Sequence, residues 1–189
     1  VCLTDAGPKF STNMVKSADV NFENVTLPAS NLVGKAGCGL GQLEAFFNEI
    51  KLLTAAQALG IAQGALDRSL GYVQQREQFN RKLSNFQVTR HKIAQMAAKI
   101  ALARLITYKA AFCFDEGRID TALISMAKMS ACRAAVEVSD EVIQLFGGYG
   151  YMKESCVERF FRDAKMTELS FGTPSVQKDI ISDTLIKKR

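Results

Sequence analysis

The first forty residues are patterned differently from the rest of the chain. Between residues 18 and 25, polar and apolar side chains alternate, as they do in half-buried strands. Turn-forming residues follow at Pro28 and Gly34. We therefore predict one or two strands and a connector over residues 1–40. Two short strands do not form a stable sheet alone, so they need further strands or a helix to pack against.

From Leu43 onward, apolar side chains recur at the three- and four-residue spacing of helices. The first apolar stripe contains Leu52, Ala55, Leu59, Ala62, Leu66 and Val73. The second contains Ile93, Met96, Ile100, Ala103, Ala110 and Phe114. The third is made of small residues, Ala127, Ala131, Ala134, Ala135 and Val138, followed by Val142, Leu145 and Phe146. Small side chains let neighbouring helices approach closely, so the third stripe predicts a tight helix contact.

Helix-breaking residues separate these stripes at 80–85, at Gly117, at 147–150 and at 172–174. The breaks predict three long helices and two shorter ones, near 152–164 and 175–187. The predicted fold is mainly α, an up-and-down four-helix bundle with an extra helix, preceded by a short β-rich segment. We divide the chain into residues 1–40 and a helical domain over 41–189.

Composition limits the classes of protein that this chain can represent. A chain of 189 residues with 48% apolar content suffices for one core and a small appendage. The net charge of +5 is spread out and no basic stripe is interleaved with aromatic residues, which favours small anionic ligands over nucleic acid. No apolar run approaches the roughly 20 residues of a membrane span. The start at Val1, without methionine or a targeting pattern, suggests a fragment boundary.

The residues that most often carry chemistry are few. Five cysteines, at 2, 38, 113, 132 and 156, form no Cys-x-x-Cys pair, so we predict reduced, structural thiols. A di-iron site in a helical bundle needs two Glu-x-x-His repeats, whereas this chain has one histidine, His91, which we place on the surface at a helix start. No serine or cysteine has the context of a catalytic triad.

The glycine-rich segment 147–150 has two possible roles. It follows a predicted helix rather than a strand, so it does not match a Rossmann or Walker loop. It can be a simple C-terminal cap. Alternatively, its glycines let the backbone approach a phosphate or an adenine, with Gln144 adding an amide contact one turn earlier.

Arg76 and Phe79 pose a similar choice at another predicted helix end. Spaced by three residues, they can share one face. The guanidinium can then pair with a phosphate while the ring covers a planar group. The alternative is an ordinary cation favoured by the helix dipole, plus a phenylalanine in the core.

Three sequence blocks occur in an order that is informative as a set. They are Arg-x-x-Phe with a later Gln within residues 75–87, Gln-x-x-Gly-Gly within 144–151, and Arg-Asp-Ala within 161–165, followed by Gly172-Thr173. Together they resemble the C-terminal half of an acyl-CoA dehydrogenase. The resemblance covers essentially the whole chain, and it implies that residues 1–40 are a remnant of the family's middle β-domain and 41–189 its C-terminal helical bundle.

The resemblance implies an FAD-dependent oxidoreductase that dehydrogenates an acyl-CoA thioester between its α and β carbons. The implied FAD contacts are Arg76, Gln78, Phe79, Gln87, Gln144, Gly147, Gly148 and Thr173. In the family, the bundle contributes to FAD sites across a tetramer interface. Thr173 resembles a residue at the flavin of its own subunit. Contacts to a neighbour's cofactor are implied for Arg76, Phe79, Gln144, Gly147 and Gly148. The family often has Phe-Gly-Lys where this chain has residues 79–81, Phe-Asn-Arg.

The implied partners are an acyl-CoA substrate, further copies in a tetramer or dimer or a related subunit, and an electron-transfer flavoprotein. We expect no nucleic acid and no membrane span. The residues do not distinguish the cytoplasm from the mitochondrial matrix.

The family's proton acceptor is missing from its usual position. Most members read Glu-Gly-Thr where this chain reads Phe171-Gly172-Thr173, and a phenyl ring does not accept a proton. Some members carry the base on the first bundle helix, just before an arginine. Lys51 matches that arginine, Ile50 falls on the base position, and Glu49 comes one residue early. One residue rotates a helical side chain by about 100°.

Glu49 is therefore the candidate catalytic residue, with Glu168, three residues before Phe171, as a second choice. Because the preceding domains supply much of the flavin pocket in this family, we expect no activity from this segment alone. Two alternatives stay open. The protein can be an inactive structural or cofactor-lending subunit, or a family flavoenzyme whose reaction needs no α-proton abstraction.

Overall fold

A computed structural model describes residues 1–187. Its strands are β1 (Cys2–Asp5), β2 (Ala18–Asn21), β3 (Glu77–Gln78) and β4 (Arg81–Lys82). Its helices are α1 (Gly39–Gln75), α2 (Gln87–Asp115), α3 (Thr121–Phe146), α4 (Gly148–Tyr151), α5 (Glu158–Leu169) and α6 (Pro174–Lys187). The mainly α class is confirmed. The last two residues of the predicted domain, 188 and 189, lie outside the described residues.

Helix α3 forms the centre of the bundle and packs against α1, α2, α5 and α6. Its small residues face these neighbours, and Ala127, Ala131 and Ala135 are completely buried. Asp120 caps the start of the helix by accepting a 3.0 Å hydrogen bond from the backbone nitrogen of Leu123. The close helix contact predicted from the third stripe is confirmed.

The other two stripes also form the core. Most of their residues are buried, namely Ala55, Leu59, Ala62, Leu66 and Val73 on α1 and Met96, Ile100, Ala103 and Ala110 on α2. At the stripe ends, Leu52, Ile93 and Phe114 are partly buried and pack against this core. Burial of apolar side chains that recur at helical spacing is therefore the main source of the bundle's stability.

The two shorter helices fall near their predicted positions, with one shift. Helix α5 begins at Glu158 rather than near residue 152. The delay has a local cause, because residues 153–155 form a 3₁₀ turn and Cys156 adopts a left-handed conformation with φ of 59°. Helix α6 closely matches the predicted 175–187.

A tight hairpin fills the break between α1 and α2. Strands β3 and β4 pair antiparallel, with Glu77 opposite Lys82 and Gln78 opposite Arg81. The two turn residues, Phe79 and Asn80, have φ of 53° and 60°, the positive values that two-residue hairpin turns require. The sequence predicted only a break here, because the alternation of short strands is not visible in two-residue segments.

The N-terminal strands pair antiparallel with each other, and all eight of their residues are exposed. Two hydrogen bonds attach the loop between these two strands to α5. The backbone nitrogen of Thr12 donates to Asp163 Oδ1 at 3.0 Å, and Arg162 Nη1 donates to the carbonyl of Phe10 at 3.0 Å. Within residues 1–187 no further strand joins this pair. The division at residue 40 stays a prediction.

None of the helices in the described part of the chain combines the length and apolar character needed to cross a bilayer.

Candidate functional site

A cavity of about 540 Å³ opens where α1 and α3 end beside the β3–β4 turn. We call it the hairpin cavity. Its lining consists of Tyr72, Arg76, Gln78, Leu83, Leu145, Phe146, Gly147, Gly148, Tyr149 and Met152. Four residues predicted from the sequence thus come together here, namely Arg76, Gln78, Gly147 and Gly148.

Two aromatic rings hold the helix ends at this cavity. Tyr72 on α1 and Phe146 on α3 stack with ring centres 3.9 Å apart and an angle of 12° between their planes. The Tyr72 hydroxyl also donates a long hydrogen bond of 3.4 Å to the Phe146 carbonyl. From the sequence, Phe146 was named only as part of the third apolar stripe, and Tyr72 was not named.

Arg76 is the cation of the hairpin cavity. Its backbone nitrogen donates to Tyr72 at 2.8 Å, and its carbonyl accepts from the nitrogen of Leu83 at 2.9 Å, so the main chain is fixed on both sides. The guanidinium carbon lies 5.3 Å from the centre of the Tyr149 ring. Among the described residues no carboxylate pairs with Arg76, which leaves its charge available to a ligand.

The glycines of this segment have different roles. Gly147 has φ of 59° and ψ of −136°, a backbone conformation largely restricted to glycine. A Cβ atom at Gly147 or Gly148 would meet nothing within 4 Å, so both backbones are open to the cavity. A Cβ at Gly150 would lie 2.4 Å from the carbonyl oxygen of Ile143. Gly150 is therefore required by packing.

The remaining predicted cofactor contacts do not line the hairpin cavity. Phe79 projects from the hairpin turn with 88% of its surface exposed, so its alternative placement in the core is wrong. It is the first of the two turn residues, with φ of 53°. Gln87 and Gln144 are exposed, at the start of α2 and near the end of α3. Thr173 lies elsewhere, just before α6.

A second cavity, of about 490 Å³, lies beside the α5–α6 loop. We call it the Phe171 cavity. It is lined by Glu44, Phe47, Asn48, Lys51, Thr121, Phe171, Gly172, Val176 and Ile180. Glu44, Asn48 and Lys51 are spaced by four and three residues and so share one face of α1. That spacing is the signal that could have revealed Glu44 from the sequence.

The loop carrying Phe171 has an unusual backbone that hydrogen bonds hold in place. Phe171 has φ of 52° and Gly172 φ of 103°. Positive φ is uncommon for an aromatic residue and is found where the surroundings enforce it. Here the Gly172 carbonyl accepts from Lys128 Nζ at 2.6 Å and from Gln177 Nε2 at 3.1 Å.

Lys51 is a buried cation in the Phe171 cavity, with 5% of its surface exposed. Among the described residues its amine has neither a hydrogen-bond acceptor nor an ion-pair partner. Burial, and then the neighbouring charge of Lys128, lower the pKa of the Lys51 amine below its ordinary value.

Lys128 is buried as well, but its amine is satisfied. It donates to the carbonyls of Gly172 and Glu168, at 2.6 and 3.2 Å. Burial lowers the pKa of Lys128, and the nearby Cys132 and Glu168 partly oppose this shift. Lys51 therefore differs from Lys128 in having an amine that remains free for a ligand.

The two carboxylates predicted as bases do not line the Phe171 cavity. Glu49 is exposed on α1, between the lining residues Asn48 and Lys51. Glu168 is buried, but its Oε2 pairs with Lys165 at 2.6 Å. The catalytic role of Glu49 stays a prediction.

The histidine and the cysteines lie apart from the two cavities. His91 is exposed on α2. All five cysteines are free. Cys132 donates from its thiol to the carbonyl of Thr167 at 3.3 Å, and burial raises the pKa of this thiol, which makes it a structural residue.

The two cavities lie at opposite ends of α1. At 1.5 Å per residue, Lys51 and Tyr72 are separated by roughly 32 Å along the helix axis. The chain thus presents two distant sites, one rich in aromatic rings and open glycine backbone, and the other containing a buried amine.

Comparisons with known proteins agree on one family. Residues 37–186 match the family model described as "Acyl-CoA dehydrogenase, C-terminal domain". The chain is 38% identical over 185 residues to the probable acyl-CoA dehydrogenase FadE25 of Mycobacterium tuberculosis (strain ATCC 25618 / H37Rv), covering 96% of this chain and 48% of that protein. It is 37% identical over 172 residues to the caffeyl-CoA reductase–Etf complex subunit CarC of Acetobacterium woodii, covering 91% and 45%.

The structural comparison gives the same result. The butyryl-CoA dehydrogenase of Megasphaera elsdenii superposes with a TM-score of 0.96 at 36% identity, covering 98% of this chain and 48% of that one. The chain thus spans about half the length of these relatives.

Proposed function

Because this chain belongs to the acyl-CoA dehydrogenase family, we propose that it is the C-terminal part of an FAD-dependent oxidoreductase that dehydrogenates an acyl-CoA thioester. The observation that carries the proposal is the hairpin cavity. It brings Arg76, Gln78 and the open backbone of Gly147 and Gly148 together in one site. These are the residue types that the bundle of this family is expected to contribute to FAD.

The donors in the hairpin cavity suit a dinucleotide. The guanidinium of Arg76, which has no carboxylate partner, can donate two parallel hydrogen bonds to two oxygens of a pyrophosphate. Open glycine backbone permits close approach of a phosphate or an adenine edge. The rings of Tyr72, Phe146 and Tyr149 offer apolar area to a planar base. Bound FAD would supply the hydride acceptor for the reaction.

The distance between the two cavities favours an oligomer. We propose that the hairpin cavity of one subunit and the Thr173 end of another share one FAD. In that arrangement the exposed side chains of Phe79, Gln87 and Gln144 contact a cofactor held mainly by a neighbouring subunit.

An apolar face supplies a surface for this assembly. Along α2, large apolar side chains recur on the outside of the bundle, and each is at least 60% exposed, namely Leu102, Leu105, Tyr108 and Phe112. Exposed apolar faces of this size commonly mark protein interfaces. We propose a homo-oligomer, a tetramer or a dimer, with a related subunit as the alternative partner.

We propose the Phe171 cavity as the site that holds the acyl thioester. Apolar side chains of Phe47, Phe171, Val176 and Ile180 would enclose an acyl chain and exclude water. Glu49, one residue before the position that the family resemblance implies, is the carboxylate candidate for the proton acceptor. For the electron acceptor we propose an electron-transfer flavoprotein, by analogy with the Etf complex in the name of CarC.

Phe171 favours a second candidate function. The residue that replaces the usual glutamate lines the cavity and has no proton-accepting atom. A subunit that completes a partner's FAD site without performing chemistry would have no need of a base. This cofactor-lending role predicts bound FAD without acyl-CoA oxidation.

The two functions are separated by anaerobic titration of the native protein, purified with any subunits that copurify. For the dehydrogenase we expect butyryl-CoA or a longer acyl-CoA to bleach the visible flavin band. Bound FAD that no acyl-CoA bleaches would support the cofactor-lending role. Glu49→Gln tests the base, because unchanged bleaching in this variant would reject Glu49.

A further inference from the structure

We propose that the amine of Lys51 is the proton acceptor for an acyl thioester in the Phe171 cavity, an inference that rests on the dehydrogenase function proposed above. The lysine lines the same cavity as Phe171, the residue at the usual position of the family's base. The flexible four-carbon side chain of lysine lets its amine reach a substrate carbon from the wall of the cavity.

The geometry distinguishes Lys51 from the other basic groups. Its side chain is 5% exposed, and its amine lacks a hydrogen-bond acceptor within residues 1–187. Holding an amine inside a protein without a hydrogen-bond acceptor costs folding free energy. Such an amine is therefore retained where it has a function or a ligand. Lys128, its neighbour on α3, is committed to the carbonyls of Gly172 and Glu168.

A role as an anion-binding group suits Lys51 less well. The carboxylate of Glu44 lines the same cavity and would repel an anionic ligand. The rest of the lining is uncharged, with apolar side chains on α1, the α5–α6 loop and α6, and the polar side chains of Asn48 and Thr121. A cavity of this kind fits a neutral acyl chain and a thioester carbonyl.

Burial of Lys51 and the positive charge of Lys128 favour the uncharged amine, which is the form that accepts a proton, whereas the Glu44 carboxylate in the same cavity opposes them. On α3, Lys128 adds positive charge, while Cys132 is a buried thiol whose pKa is raised. On α5, Glu168 is paired with Lys165. The α6 residues that line the cavity, Val176 and Ile180, carry no charge. A desolvated lysine beside another cation is an established way to obtain a neutral amine.

The proposed step transfers one proton. The lone pair of Lys51 Nζ forms a bond to the α-hydrogen, the carbon–hydrogen bond breaks, and its electron pair remains on the thioester as an enolate. Lys51 becomes an ammonium ion, and the reverse transfer regenerates both reactants. In deuterated water, this reversible step exchanges the α-hydrogen for deuterium.

The test is deuterium exchange at the α-carbon of butyryl-CoA, measured by mass spectrometry with the native protein and without an electron acceptor. We expect Lys51→Met to slow exchange by about 100-fold or more, the usual contribution of a positioned base. Lys16→Met, which removes an exposed lysine of the β1–β2 loop, is the matched control and should exchange like wild type. An exchange rate in Lys51→Met close to that of wild type would overturn the proposal.

Two further variants assign the base among the neighbouring carboxylates. Loss of exchange in Glu49→Gln or Glu44→Gln, with exchange retained in Lys51→Met, would transfer the role to that carboxylate.

The pH dependence gives an independent readout. Exchange should rise with pH, with its midpoint below the ordinary lysine range, as the amine of Lys51 loses its proton. A rate that falls over the same range would indicate a cationic role and contradict a base.

A measurement that needs no turnover tests the amine itself. Trinitrobenzenesulfonate reacts with neutral amines, so Lys51 should be labelled at a lower pH than the exposed Lys16, as read by peptide mass spectrometry. Labelling of both residues over the same pH range would refute a neutral Lys51.

The inference about Lys51 and the proposed function fail differently. If butyryl-CoA bleaches the flavin and Lys51→Met exchanges deuterium like wild type, the role of Lys51 is rejected and the dehydrogenase function is retained. A wild-type protein with neither bound flavin nor exchange removes both.

Discussion

Lys128 Nζ donates a 2.6 Å hydrogen bond to the carbonyl oxygen of Gly172, joining the middle of α3 to the loop that carries Phe171. Gln177 on α6 donates to the same oxygen at 3.1 Å. The two donors come from different helices, so the left-handed backbone at Phe171 and Gly172 is held from two sides. The shape of the Phe171 cavity therefore depends on a buried lysine of the central helix.

Replacing Lys128 by methionine should destabilise the protein and loosen this loop. Hydrogen bonds to a charged donor contribute about 1.5 to 3 kcal/mol each, and the variant leaves two carbonyls without this donor. We expect a loss of roughly 2 to 3 kcal/mol in denaturant unfolding, with faster amide exchange across residues 168–173. Lys16→Met, in the exposed β1–β2 loop, is the control, and equal stability of the two variants would contradict the role of Lys128.

Lys51→Met should have the opposite effect on stability. It removes a buried cation that has no partner in the described chain, at little cost in volume, so we expect a gain of roughly 1 to 3 kcal/mol near neutral pH. Thermal unfolding of wild type and variant measures the difference. A less stable variant would show that Lys51 is satisfied in the native protein.

The gain from Lys51→Met should also depend on pH. The pKa of Lys51 is lowered in the folded protein from 10.5, so the unfolded chain binds more protons between the two pKa values. Wild-type stability should rise with pH across that window. The advantage of the variant should accordingly shrink towards pH 10.5, and an advantage that grows with pH would contradict this linkage.

Much of the bundle could be predicted because its determinants are local or periodic. The buried positions of α1, α2 and α3 follow the three apolar stripes, since burial of one helical face fixes which residues face the core. The β3–β4 hairpin was missed because its strands have two residues each, too few for a period. The start of α5 was misplaced because the left-handed Cys156 has no glycine or proline to signal it.

The candidate sites were only partly predictable. Family motifs identified Arg76, Gln78, Gly147 and Gly148, which meet in one cavity. Phe79, Gln87, Gln144 and Thr173 came from the same motifs, but a single chain does not bring them to that cavity. The amine of Lys51 could not have been singled out from sequence, because its isolation depends on contacts between α1, α3 and the α5–α6 loop.

Two glycines near Tyr149 should respond differently to alanine. Gly150→Ala forces a Cβ to within 2.4 Å of the Ile143 carbonyl, and such overpacking costs about 1 to 3 kcal/mol. Gly148→Ala meets nothing within 4 Å and should leave unfolding unchanged while lowering FAD content. Unfolding curves and flavin content of both variants provide the check. Equal loss of stability would refute the assignment of Gly148 to the cavity and Gly150 to packing.

The outer face of α2 should control oligomeric state. Replacing Leu102 and Leu105 together by glutamate places charges on a face that we propose to be buried between subunits. We expect smaller particles by light scattering and, because the FAD site is shared, less bound flavin. Met14 and Val15, which are exposed in the β1–β2 loop outside this face, can carry glutamates as the control. An unchanged mass would place the interface elsewhere.

The most direct test of the account is the flavin absorbance spectrum and FAD stoichiometry of the native protein, compared with Arg76→Met. We predict bound FAD in wild type and affinity weakened by about 10- to 100-fold in the variant, since a charge-assisted contact to the pyrophosphate is lost. Arg76→Lys, which keeps the charge but loses the planar fork, should fall between them. Wild-type protein that contains no FAD and takes up none on reconstitution would contradict the account.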